Sequence, residues 1–187
     1  VLLAIFFIRL GGPDFEYFYK AGRSIAAHGV IDPGYDIVEG RVVDRGTLDW
    51  YWPFVHRLMA VFATFPYRVA GYAWITLNVI AILATMWMLG RHVSGLPPQD
   101  WAVTQIVPLL LLFLYWMWEL RLNQINALTM LLMVGSYVAW ERGRRTQAGF
   151  WIGLAVLLKV TPGLLVIWFV LKRQWCTVGA AIMTIVL

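Results

Sequence analysis

Charge is what this chain has least of. Asp, Glu, Lys and Arg make up 13% of its 187 residues, against 61% hydrophobic, where soluble domains carry about 25% charged and 45–50% apolar residues. That shortage excludes an ordinary soluble domain and implies an integral membrane protein. Cysteine is nearly missing as well. Cys176 stands alone in an apolar run, which excludes a disulfide framework or a cysteine metal site within the chain. No charged leader precedes the first apolar residues, so no signal peptide is expected. Apolar runs of full membrane-crossing length are missing at both ends. Residues 1–8 and 175–187 fall short of the roughly 20 needed to cross a bilayer, so an internal piece of a longer membrane protein is expected, truncated at both ends.

What is present fits that class. Eleven Trp and eight Tyr suit a chain with many membrane–water interfaces, where such rings concentrate. The net charge of +5 does not imply nucleic acid. The basic residues sit in short clusters between apolar runs, as in cytoplasmic loops. Residues 1–10 read as the outgoing end of a first transmembrane helix, broken by Gly11-Gly12-Pro13. From 14 to 28 the spacing of Phe15, Phe18, Gly22 and Ile25 predicts a helix with one apolar face, polar enough to lie in the interface. Turn signals at Asp32-Pro33-Gly34, Gly40 and Gly46 predict an ordered loop over 29–49. Residues 53–66 read as a short or interfacial helix. Crossing helices are expected over 69–89, 101–118 and 125–140, with polar stretches at 91–100 and 119–126.

The segment between Arg145 and Lys172 is too short for two crossings, which need roughly 40 residues. Residues 148–158 and 163–171 are therefore expected to form a broken hairpin of two short helices. They meet at Lys159-Val160-Thr161-Pro162, where Pro162 disfavours helix. Placing Arg142, Arg144, Arg145, Lys172 and Arg173 in the cytoplasm puts the 11–57 loop and the 119–126 stretch outside. The expected architecture is thus a single all-α polytopic transmembrane domain over 1–187. It has a long first extracytoplasmic loop (11–57) carrying an interfacial helix, followed by transmembrane helices over 69–187.

Under that topology Asp14, Arg121, Asn123, Gln124, Asn126 and Lys159 open on one side. An acid, two cations and several amides beside hydrophobic walls suit a reaction on a lipid-linked phosphate. The phosphate needs cations and an acceptor hydroxyl needs a base. Lys159 and Arg121 are the candidates for the phosphate, and His56 could approach it. His28, His56 and His92 are scattered, no acidic cluster resembles a metal site, and neither metal nor cofactor is expected. Each residue also has a structural reading. Asp14 could cap its helix, Lys159 could snorkel to the interface, and Arg121 could pair with Glu119. Gln124 and Asn126 could join helices. Glu16 with Lys20 four residues on is a surface pair, and Trp50-Tyr51-Trp52 suits an aromatic belt. A transporter or flippase for a lipid-linked or anionic solute is the alternative, since broken helices with polar tips also serve transporters.

Three stretches carry a family resemblance. Asp14-Phe15-Glu16-Tyr17-Phe18-Tyr19-Lys20-Ala21-Gly22 resembles the first outer loop of polytopic GT-C glycosyltransferases, and more narrowly of the bacterial GT87 family, also called DUF2029. Asn123-Gln124-Ile125-Asn126-Ala127-Leu128 is similar to the family's Gly-Gln-x-Asn-x-Leu segment, with Asn123 in place of Gly. Leu158-Lys159-Val160-Thr161-Pro162 is similar to its Leu-Lys-x-Thr-Pro block. The resemblance implies a multi-pass enzyme of the bacterial plasma (inner) membrane with an extracytoplasmic active site. It implies inverting transfer of a sugar, mannose as first guess, from a polyprenyl-phosphate donor to a glycolipid or cell-envelope glycan. Asp14 would then be the general base.

Overall fold

A computed structural model describes residues 12–29, 35–38, 41–44, 53–92, 97, 100, 106, 110–111 and 113–187. The expected first transmembrane helix over 1–10 and the Trp50-Tyr51-Trp52 belt lie outside the described residues, as does most of the 101–112 part of the expected 101–118 span. Among the described residues the chain is helical apart from one small hairpin.

Helix α1 spans Pro13–His28. Pro13 at its first position forfeits only an N–H that has no helical partner there. Gly29, at φ 73°, ends the helix in the left-handed region, with its N–H bonded to the Ile25 carbonyl. Phe15, Phe18 and Gly22 are buried on the expected face, while Ile25 is only half-buried. Strands β1 (Tyr35–Val38) and β2 (Arg41–Asp44) pair antiparallel, Tyr35 opposite Asp44 and Val38 opposite Arg41. The expected loop over 29–49 thus carries a short hairpin at its described residues, in a fold that is otherwise helical as expected. Ile37, Val38, Val42 and Val43 are β-branched, a residue type that favours strands.

Helix α2 (Pro53–Phe62) buries Val55, His56 and Met59 against α1. Helix α3 (Tyr67–His92) has 26 residues, about 39 Å at the helical rise. Among the described residues it is the one helix both long and apolar enough to cross a membrane. Helix α4 (Phe113–Leu122) continues through Glu119 and Arg121, so half of the expected polar connection is helical. Helix α5 (Asn126–Glu141) has 16 residues, about 24 Å, which is shorter than a ~30 Å hydrocarbon core.

Two short helices follow, separated by a break in the helical backbone. Helix α6 (Arg145–Leu158) stops at Lys159, whose backbone is extended, and α7 (Gly163–Leu171) restarts after Pro162. Helix α8 (Trp175–Val186) then packs along α6 in the same direction, Gly149 meeting Thr177 and Ala180 and Gly153 meeting Thr184. Small residues four apart permit that approach where no hydrophobic driving force separates helix from lipid.

One core joins Phe15, Phe18 and Tyr19 of α1 to Val55 and Met59 of α2, Ala70 and Trp74 of α3, Ile125, and Leu158 at the end of α6. Its membership fixes the entry of α1 beside the α4–α5 turn and the break after α6. The bundle therefore has two chemically different ends. Asn123, Asn126 and Lys159 meet at one end. Arg142 reaches His92 at the other, where Arg145 and Lys172 lie over Trp140 and Trp168. Large apolar side chains on α3, α4 and α7, among them Leu83, Leu114 and Leu164, are exposed, which suits a surface facing lipid rather than water.

Candidate active site

The turn between α4 and α5 makes the site. Asn123 stands at φ 60°, a left-handed conformation that Gly adopts freely and Asn tolerates better than most residues. Where the resembling segment carries Gly, the backbone thus demands a residue of this kind. The Asn123 carbonyl accepts from Trp74 Nε1 at 3.0 Å, tying the turn to α3. Reversing the chain there carries Gln124 and Asn126 back over the last turn of α4. Asn126 Nδ2 lies 2.8 and 2.9 Å from the two carboxylate oxygens of Glu119 and donates to Gln124 Oε1 at 2.6 Å.

Two further elements close on this turn. Gly12, which caps α1, lies so close to the Arg121 and Leu122 backbone that any side chain would collide. Gly22 meets the Met59 backbone in the same way one face further along. The Gly12 contact docks the start of α1 on the end of α4, the Gly22 contact packs α1 on α2, and Asp14 hydrogen-bonds Gln124. From the opposite side the break after α6 presents Lys159, whose ammonium donates to Asn126 Oδ1 at 2.7 Å. Its extended backbone releases the side chain from the helical direction it would otherwise follow.

The result is a directed chain. Lys159 donates to Asn126, Asn126 donates to Gln124, and Gln124 donates to the Asp14 carboxylate, which when ionised can only accept. The amide dipoles thus run from the cation to the acid. Burial pushes the Asp14 carboxyl above its ordinary 3.8, and the Gln124 hydrogen bond and the Lys159 charge pull it partly back. Asp14 is not the cap of α1: that position is Gly12, and no side chain caps the helix end. Its place in the first turn still suits the helix dipole.

The remaining sequence candidates fall elsewhere. Arg121 is exposed with its guanidinium 5.5 Å over the Trp118 ring, and Glu119 is engaged by Asn126 instead of Arg121. His56 has no exposed surface (0%) and its ring packs edge-on against Tyr17 between α1 and α2. A phosphate could reach it only by opening that core, so this is a packing position. Glu16 and Lys20 form the expected surface pair at 2.8 Å. Glu119, 6% exposed, is the residue that sequence reasoning missed in this role. Its signal was a carboxylate seven residues from Asn126, but only the left-handed turn makes them neighbours.

The comparisons with known proteins bear on residues 50–187, which match the family model described as glycosyltransferase family 87. Gln124, Asn126 and Lys159 lie inside the matched region, and Asp14 precedes it. No curated protein and no solved structure matches the chain. Nothing in the comparisons supports the transporter alternative. With the match covering 138 of 187 residues, the chain belongs to glycosyltransferase family 87, a family of membrane glycosyltransferases.

Proposed function

We propose that this chain carries the active site of a GT-C-type enzyme that moves a sugar, mannose as first guess, from a polyprenyl phosphate to a glycolipid or cell-envelope glycan. The reaction would take place at the extracytoplasmic face of a bacterial inner membrane. The observation that carries this reading is the hydrogen-bonded chain from Lys159 through Asn126 and Gln124 to Asp14. A single displacement needs a base for the acceptor hydroxyl and positive charge for the departing phosphate, and this chain ends in one of each.

Asp14 takes the proton from the acceptor hydroxyl as its oxygen bonds to the anomeric carbon. The bond from that carbon to the phosphate oxygen breaks in the same step, inverting the centre. Lys159 uses one of its three protons on Asn126 and has two left for the phosphate. The phosphate is assigned to Lys159, and Arg121, held over Trp118, to the interface beside it. Glu119 and the two amides position the charged ends. The long prenyl chain lies along the exposed apolar helices.

Asp14→Asn in the full-length enzyme tests the reading. The amide keeps the shape and the Gln124 contact but cannot take a proton. Transfer of labelled sugar from the lipid donor should fall by at least about 100-fold with the protein still folded. Transfer at the wild-type rate would remove the base assignment.

A further inference from the structure

At the end of the bundle opposite Asp14, α3, α5 and α6 leave a cavity of about 280 Å³. Its walls are apolar: Met88 from α3, Leu131, Leu132 and Val138 from α5, and Trp151 from α6. At Gly135, midway along the wall, an added Cβ would meet Trp151 and Met88 only at 3.8 and 4.0 Å, ordinary contact distances. The space is a groove between helices and not a tight crossing. Its mouth holds Arg142, Arg144 and Gln147, all exposed. Arg142 Nη2 lies 2.8 Å from His92 Nε2, which brings the end of α3 to the same rim. The nearest acid in sequence, Glu141, is hydrogen-bonded by Tyr137. A narrow apolar slot that ends in two guanidiniums is complementary in shape and charge to one kind of molecule, an amphiphile with a long tail and an anionic head.

We propose that this groove holds one acyl chain of an anionic phospholipid, with Arg142 and Arg144 on its phosphate and Gln147 beside them. A basic pocket between membrane helices is a recurrent way to hold anionic head groups, and paired guanidiniums suit phosphate oxygens. The site lies at the far end from the Asp14–Lys159 chain. It rests on the membrane setting of the family and not on the sugar reaction. A lipid seated there would wedge α3, α5 and α6 together, where α5 on its own is short for a full crossing.

The test is native mass spectrometry of the full-length enzyme, purified in detergent and equilibrated with equal amounts of phosphatidylglycerol and phosphatidylcholine. Wild type should retain one phosphatidylglycerol at least about fivefold over phosphatidylcholine. Arg142→Gln with Arg144→Gln should bring the two lipids within about twofold of each other, while Arg173→Gln, outside the groove, keeps the preference. Gly135→Leu fills the slot and should remove the retained lipid of either kind. A wild-type preference in the double arginine variant, or a retained lipid in Gly135→Leu, overturns the proposal. Should Gly135→Leu fail to fold, phosphatidylglycerol with a photoreactive acyl chain on the wild-type protein decides instead. Labelling concentrated on the peptides around Met88, Gly135 and Trp151 supports the site. Labelling spread over the other exposed helices, or a second copy of the chain cross-linked at that face, overturns it.

Discussion

Lys159 and Asn126, 33 positions apart in the chain, meet through a 2.7 Å hydrogen bond from ammonium to amide oxygen. Because Asn126 has spent its carbonyl on the cation, its NH2 must point the other way, toward Glu119 and Gln124. Gln124 in turn has only its own NH2 left for Asp14. One contact therefore fixes the orientation of two amides and the donor that reaches the acid. Removing any member should be felt at the others, since polar networks are worth more than the sum of their pairs.

Gln124→Leu tests that coupling directly. It leaves Asp14 and Lys159 in place but cuts the chain between them. Transfer should fall by about 10-fold or more, and the loss in Gln124→Leu with Lys159→Ala should be smaller than the product of the single losses. Strictly multiplicative losses from radiolabelled-donor assays would show the two residues acting separately.

Lys159→Ala should raise the KM for the lipid-phosphate donor by at least about 10-fold, the loss of a charge-assisted contact. Arg121→Ala, which loses a ring contact at an exposed site, should change it by no more than about twofold. An unchanged donor KM in folded Lys159→Ala removes that residue from the phosphate.

The acid limb of the rate profile should report Asp14. Its folded-state carboxyl is raised above 3.8, chiefly by burial, and a base works only when ionised. The value of kcat/KM should therefore fall as pH drops through a point above the ordinary Asp value. Lys159→Gln removes a charge that pulls the carboxyl down, so the limb should move to higher pH. The stability effect has the opposite sense. A raised folded value means that the ionised form is disfavoured on folding, so Asp14→Asn should be no less stable than wild type at neutral pH. Any gain should shrink as pH falls through the raised value. A limb that moves to lower pH in Lys159→Gln would contradict the assignment.

Position 123 should distinguish backbone from side-chain demands. At φ 60° an alanine carries the full left-handed penalty, and Asn123→Gly should be more stable than Asn123→Ala by about 1 kcal/mol. The wild-type amide is itself buried with no hydrogen-bond partner among the described residues, a further reason for glycine to be tolerated here. Equal thermal midpoints for the two variants would show that the turn does not require this conformation.

The α6–α8 contact should be intolerant of bulk. A side chain at Gly149 runs into the Thr177 carbonyl and Ala180, whereas one at Gly179 meets nothing within 4 Å. Gly149→Leu should cost about 3 kcal/mol or more, and Gly179→Ala should be neutral or stabilising by up to about 1 kcal/mol. Thermal unfolding in detergent compares them.

Hydropathy alone pointed to a membrane protein, because 61% apolar residues at 13% charge depart far from what soluble domains carry. Local chemistry also placed the helix boundaries that rest on local causes: Pro13 and Gly29 around α1, and the stop at Lys159 before Pro162. The hairpin at Tyr35–Asp44 escaped because turn residues mark a reversal without saying whether the flanks pair. Asp14, Gln124, Asn126 and Lys159 could be named as candidates from their chemistry. What they do to one another could not, because hydrogen-bond direction depends on contacts between residues far apart in the chain. The departure at Asn123 had no evident meaning until its φ was known. His56 and Arg121 had the right chemistry, but tertiary packing sealed one in a core and turned the other onto Trp118. Side-chain type is a property of the residue, but exposure and partners are properties of the fold, and at this site the fold had the last word.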